Sequence, residues 1–201
     1  MIGRGALCRA LLVTALLVTA LAAPAPARAE EHPFATKPGY GQIFVTVMGV
    51  TGLRFDNPYR LATPIGKDAE SVSRTAAYID LGIAMTLGHP LGFQHGVALR
   101  TTIALEGVGQ VVVTPSYFGW RRWGALAAYG RAGTPIVVTP EVTWGLEGAL
   151  GAAFFFLGGI GVCAELVGDV IWGAGTRDVS TVTYPILSGQ LGFLGSYEGL
   201  P

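Results

Sequence analysis

Charge is scarce in this chain of 201 residues: Asp, Glu, Lys and Arg make up 13% of it, where a soluble domain carries roughly a quarter. Neither sign is in excess, with 13 Lys+Arg against 13 Asp+Glu, and no basic cluster is present, which excludes nucleic acid as a partner. Cysteine is nearly absent. Cys8 lies in the N-terminal leader, so processing would leave Cys163 alone and exclude an internal disulfide. Histidine is limited to His32, His89 and His95, with no Cys or carboxylate between the last two and no Ser at a suggestive spacing from any of them. That excludes a catalytic triad and a built metal centre, so neither catalytic residues nor a metal or other cofactor is expected, and the protein is read as a non-enzyme.

What is abundant is apolar: 51% hydrophobic residues and 30 Gly. The first stretch is an export signal at 1–29, with Arg4 and Arg9 before the apolar Leu11 to Ala23 and a small-x-small cleavage site at Ala27-Arg28-Ala29. Its apolar run is short for a membrane span and ends in Pro24 and Pro26. Cleavage would remove Arg4, Arg9 and Arg28 and leave a chain with three net negative charges. A polar leader segment at 30–40, containing Pro33 and Pro38, precedes a single domain at 41–201.

From Val142 to Phe156 every second residue is apolar or Gly: Val142, Trp144, Leu146, Gly148, Leu150, Ala152, Phe154, Phe156. After Leu157-Gly158-Gly159 the pattern restarts at Ile160 and runs to Trp172, with Cys163, Glu165 and Asp169 on the opposite parity. A period of two is a strand signature, because successive side chains leave a strand on opposite faces. Strands this long, apolar on one face and bearing carboxylates on the other, suit a hairpin of a transmembrane barrel. A helix over Gly148 to Ala164 is the alternative, and its five Gly argue against it at about 1 kcal/mol each.

Six further segments alternate in the same way, near Gly41–Phe55, Arg74–Leu87, Gly96–Glu106, Gln110–Trp120, Trp123–Ala132 and Thr183–Tyr197. The expected fold is therefore all-β, an eight-stranded antiparallel up-and-down transmembrane β-barrel. Pro115 predicts an irregularity in the fourth strand. Long or middling links at Asp56–Ser73, Thr134–Glu141 and Gly173–Thr181 alternate with tight turns at Gly119–Arg122 and Leu157–Gly159. The link at Gly107–Gly109 is short for its end, and the turn at His89–His95 is long for the other.

The inward parity carries Arg54, Asp80, Arg100, Glu106, Arg131, Glu147, Glu165 and Asp169. An eight-stranded barrel is only wide enough for side chains to fill it, so these charges are expected to pair; a narrow cation-favouring path is the alternative. The aromatics Tyr117, Trp120, Trp123, Trp144, Trp172 and Tyr197 fall near strand ends, where amphipathic rings settle at the headgroup boundary, and packing in a soluble core is the competing account of the Trp residues. Arg121 and Arg122 beside them are within reach of lipid phosphates.

Signal, paired alternating strands, aromatic strand ends and a carboxylate-bearing inner face together resemble the small bacterial outer-membrane β-barrel proteins, the eight-stranded OmpA-barrel and OmpW-like group, over about Gly41 to Tyr197. The resemblance implies the outer membrane of a Gram-negative bacterium, outer-membrane lipid and the barrel-assembly machinery as partners, a monomer, and a non-enzymatic role in envelope structure or small-solute passage. Such proteins commonly end in an aromatic residue, whereas Glu198-Gly199-Leu200-Pro201 follow Tyr197 here. The alternative is a secreted or periplasmic soluble β-barrel that binds an apolar ligand, as a lipocalin does, with the apolar parity turned inward. Ala149, Gly151, Ala153, Phe155 and Gly161 would then make a poor solvent surface.

Overall fold

The computed structural model describes residues 40–55, 72–89, 92–107, 109–173 and 183–199. The signal expected at 1–29 and the leader at 30–40, apart from Tyr40, lie outside the described residues, as do most of the links expected at Asp56–Ser73 and Gly173–Thr181. Ten strands form one antiparallel sheet: β1 (Gly41–Arg54), β2 (Ser73–Arg74), β3 (Tyr78–Gly88), β4 (Phe93–Ala104), β5 (Val111–Trp123), β6 (Leu126–Gly133), β7 (Ile136–Thr139), β8 (Thr143–Leu157), β9 (Ile160–Trp172) and β10 (Thr183–Gly199). β2 and β3 share one stave, and so do β6 and β7. The result is an eight-stave up-and-down barrel.

β1 pairs with β10 along its whole length, from Gly41 opposite Gly199 to Arg54 opposite Ile186, which removes the last free edge. At one end of this seam burial, with Glu198 beside it, pushes the Tyr40 phenol up to about 12. Paired residues followed round the wall from Arg54 run through Ile186, Asp169, Glu147, Gly133, Ser116, Ala98 and Ala84. They return to β1 at Phe44, ten residues from the start. A stagger of this kind accompanies strands tilted by roughly 35–45° to the barrel axis.

Alternation decides which side chains meet which solvent. On β9 Gly161, Cys163, Glu165, Val167 and Ile171 are buried while Ile160, Val162, Leu166 and Val170 are exposed. The same holds round the wall, with Val97 63% and Leu191 69% exposed. A soluble barrel would bury this apolar parity, so the lipocalin-like arrangement is overturned: the apolar face is the outer one, as in a barrel solvated by lipid.

Several boundaries differ from the sequence expectation. β5 runs on through Trp123, and the turn is Gly124-Ala125, closed by Trp123 opposite Leu126, instead of Gly119–Arg122. Gly124 takes a φ of 60° there, and Gly158 one of 54° in the β8–β9 turn, left-handed values that a side chain disfavours. Pro115 sits outward in an unbroken β5, opposite Leu99, and its carbonyl accepts from the Thr134 amide at 3.1 Å. The interruption falls on the neighbouring stave, where Pro135 has no amide to give, and part of the expected Thr134–Glu141 link continues as β7. β4 begins at Phe93, so His95 lies on a strand facing outward, not in a turn.

The turns at 124–125 and 158–159, with Gly88 and Phe93, share one end with Gly41 and Gly199; Arg54, Ala104, Thr143, Trp172 and Thr183 lie toward the other. These are called the turn end and the loop end below.

Candidate functional site

The lumen is filled in layers set by the inward parity of each stave. Nearest the turn end, Phe44, Phe118, Trp120, Tyr129 and Phe155 form an aromatic layer with Met48, Cys163 and Leu194. Trp120 packs at 4.5 Å between ring centroids on Phe44 and stacks on Tyr129 at 5.8 Å. Cys163 Sγ lies 3.5 Å from Met48 Sδ.

Above this lies a layer of charge. Arg100 of β4 donates from Nε to Asp80 Oδ1 of β3 (2.7 Å), from Nη1 to Glu165 Oε2 of β9 (3.1 Å) and from Nη2 to Gln190 Oε1 of β10 (2.8 Å). Arg131 of β6 donates from Nε to the other oxygen of Glu165 at 3.0 Å and also pairs with Glu147 of β8. Thr102 Oγ1 completes the Asp80 carboxylate at 2.7 Å. Two buried guanidinia and three carboxylates thus meet across the lumen, one negative charge in excess by formal count, with each guanidinium paired to two carboxylates. That is the condition under which a buried ion cluster is tolerated.

The inward set expected from the sequence therefore divides. Asp80, Arg100, Arg131, Glu147 and Glu165 come together. Asp169 is next to Glu147 by register, and its Oδ1 has no hydrogen-bond partner. Arg54 stands nearer the loop end with its guanidinium 4.6 Å from the centre of the Tyr184 ring. Glu106 is a correction: β4 ends at Ala104, so Glu106 sits in a bend outside the lumen, exposed, accepting from the Ala77 amide at 2.8 Å and lying 3.8 Å from Arg74. Gln190 and Thr102, inward by the parity of their strands, join the layer as uncharged members that the expected charge set does not include.

Among the boundary aromatics, Trp144 and Trp172 face outward at the loop end with ring centroids 5.0 Å apart, and Trp123 and Tyr197 face outward at the turn end. Tyr117 faces outward from the middle of β5, its hydroxyl bonded to His95 Nδ1. Trp120 is a correction: it is 1% exposed and lies inside the barrel. The parity that turns Thr114 and Ser116 inward continues through Phe118 to Trp120.

Two cavities among the described residues bear on the lumen. The larger, about 80 Å³, opens toward the loop end and is bordered by Arg54, Tyr78, Glu147, Asp169 and Tyr184. The smaller, about 20 Å³, lies between the charge and aromatic layers beside Thr46, Arg100, Tyr129 and Arg131. One water needs roughly 10–15 Å³, so the smaller is about a one-water space. The charge layer separates the two.

No protein-family model matches the chain, and no curated protein matches it. Its fold does match solved barrels. Ail, the attachment invasion locus protein of Yersinia pestis, aligns over 80% of this chain and 100% of its own with 10% identity and a TM-score of 0.50. OprG of Pseudomonas aeruginosa aligns over 82% and 98% with 14% identity and a TM-score of 0.38, and Neisserial surface protein A over 77% and 97% with 9% identity and a TM-score of 0.43. The chain has the fold of the small eight-stranded outer-membrane barrels. At these identities the likeness to Ail carries the fold and nothing further.

Proposed function

We propose that this protein is a non-enzymatic outer-membrane barrel of a Gram-negative bacterium whose lumen is closed, and that it acts as a structural element of the envelope instead of passing solute along its axis. The observation that carries this reading is the stacking of the Asp80–Arg100–Glu165–Arg131 layer on the Phe44–Trp120–Tyr129–Phe155 layer, two successive seals across one lumen. Outer-membrane lipid is the solvent that suits its exposed apolar parity, and the barrel-assembly machinery is the route of insertion. A monomer suits a wall with no free edge.

Fractionation, gel mobility and conductance test it together. The protein is expected in the outer-membrane fraction, with a gel band that shifts on heating, and planar bilayers containing it are expected to remain silent. Recovery from the aqueous periplasmic fraction, folded without detergent, would overturn the membrane assignment. Regular single-channel steps would overturn the closed lumen alone.

A further inference from the structure

Among the described strand residues on the outer face, only three carry a basic or acidic side chain: Arg74 at the loop end, and His95 and Arg121 toward the turn end. Arg121 pairs with Phe93, the first residue of β4, and is two residues from Trp123, the last of β5, so it stands at the turn-end rim of the apolar belt. Its guanidinium carbon lies 5.1 Å from the centre of the Trp123 ring, and its Nε is buried without a hydrogen-bond partner. Phe93 closes the other side by bringing its ring over Gly119, where an added Cβ would come within 2.6 Å of the ring tip. His95 packs against Phe93 at 4.6 Å between ring centroids and bonds the Tyr117 hydroxyl.

A guanidinium on a lipid-facing wall is costly at mid-membrane and is tolerated at headgroup depth. No outward carboxylate among the described strand residues neutralises Arg121. The anion at that depth is a lipid phosphate, whose oxygens match the fork of N–H donors in arginine, while Trp123 and Phe93 suit the glycerol and upper acyl region beside it. We propose that Arg121, between Trp123 and Phe93 and below the His95–Tyr117 pair, binds the phosphate of one glycerophospholipid in the leaflet at the turn end. That leaflet is periplasmic on the outer-membrane reading, on which this site rests.

Native mass spectrometry of the folded protein from micelles containing phosphatidylglycerol tests the site, with chain-matched diacylglycerol and soluble glycerol 3-phosphate as comparison probes. Wild type is expected to retain one phosphatidylglycerol and no diacylglycerol. Arg121→Gln should lower that retention about tenfold, the effect of losing a charge-assisted hydrogen bond. Arg121→Lys, which keeps the charge but not the fork, should retain an intermediate amount, and Arg74→Gln all of it. Equal retention by Arg121→Gln, equal retention of diacylglycerol, or displacement by glycerol 3-phosphate would overturn the proposal. Heat-modifiable mobility of the same samples reports on the barrel separately, so folded barrels without selective retention sink this site and leave the membrane reading intact.

Discussion

Glu165 on β9 and Arg100 on β4 stand on opposite walls of the barrel and meet in the middle of the lumen, 3.1 Å apart. Glu165 also receives Arg131, so one carboxylate ties three walls together. Its neutral variant Glu165→Gln leaves each guanidinium with one carboxylate, Asp80 for Arg100 and Glu147 for Arg131, and is expected to lower stability by about 1.5–3 kcal/mol through the loss of the shared charge-assisted hydrogen bonds. Urea unfolding in lipid vesicles, followed by tryptophan fluorescence, measures this. Glu106→Gln, exposed at the loop end, should fall within about 0.5 kcal/mol of wild type.

Because the lumen is sealed twice, thinning one seal should not open it. Trp120→Ala is expected to destabilise the barrel by about 3–5 kcal/mol through the cavity it leaves. It should add no conductance in planar bilayers, since the charge layer stays in place. Channel steps from this variant would show that the aromatic layer is the sole barrier.

The outer face makes a depth-dependent prediction. Leu150 is an exposed residue at the centre of β8, and Leu150→Arg should cost about 2–4 kcal/mol if that point meets the bilayer midplane. Thr183→Arg, at the loop-end start of β10 opposite Trp172, should cost only about 0–1 kcal/mol. Equal costs in vesicle-based unfolding would mean that no hydrocarbon gradient runs along the wall.

Cys163 reports on the interior. It is buried against Met48 inside the wall, so a maleimide should fail to label the folded barrel in detergent and should react fully after heat unfolding. Rapid labelling of the folded form would place residue 163 on the lipid side and invert the face assignment.

The face of each strand was legible because a period of two survives any error in strand limits. β9, Ile160–Trp172, is a case where limits and faces are both readable, bounded as it is by a Gly turn and an aromatic end. Trp120 departs from the expectation because residue type and parity conflict there: tryptophans favour headgroup depth, yet the strand parity shared with Thr114 and Ser116 turns it inward. Glu106 departs for the opposite reason, since it lies two residues past the end of β4, where parity no longer applies. The partners within the lumen were not legible at all. That Arg100 meets Glu165, 65 residues away, depends on the ten-residue stagger of the closed wall, and no local pattern in the chain encodes it.

The seam between β1 and β10 has a kinetic meaning. It joins residues more than 130 positions apart, Arg54 with Ile186 at the near end and Gly41 with Gly199 at the far end. Loop closure over such separations is slow, and until β10 arrives β1 presents an unpaired, apolar strand edge. Until that seam closes, the wall keeps two open edges, so shielding β1 before β10 pairs with it should reduce edge-to-edge association of unfinished barrels.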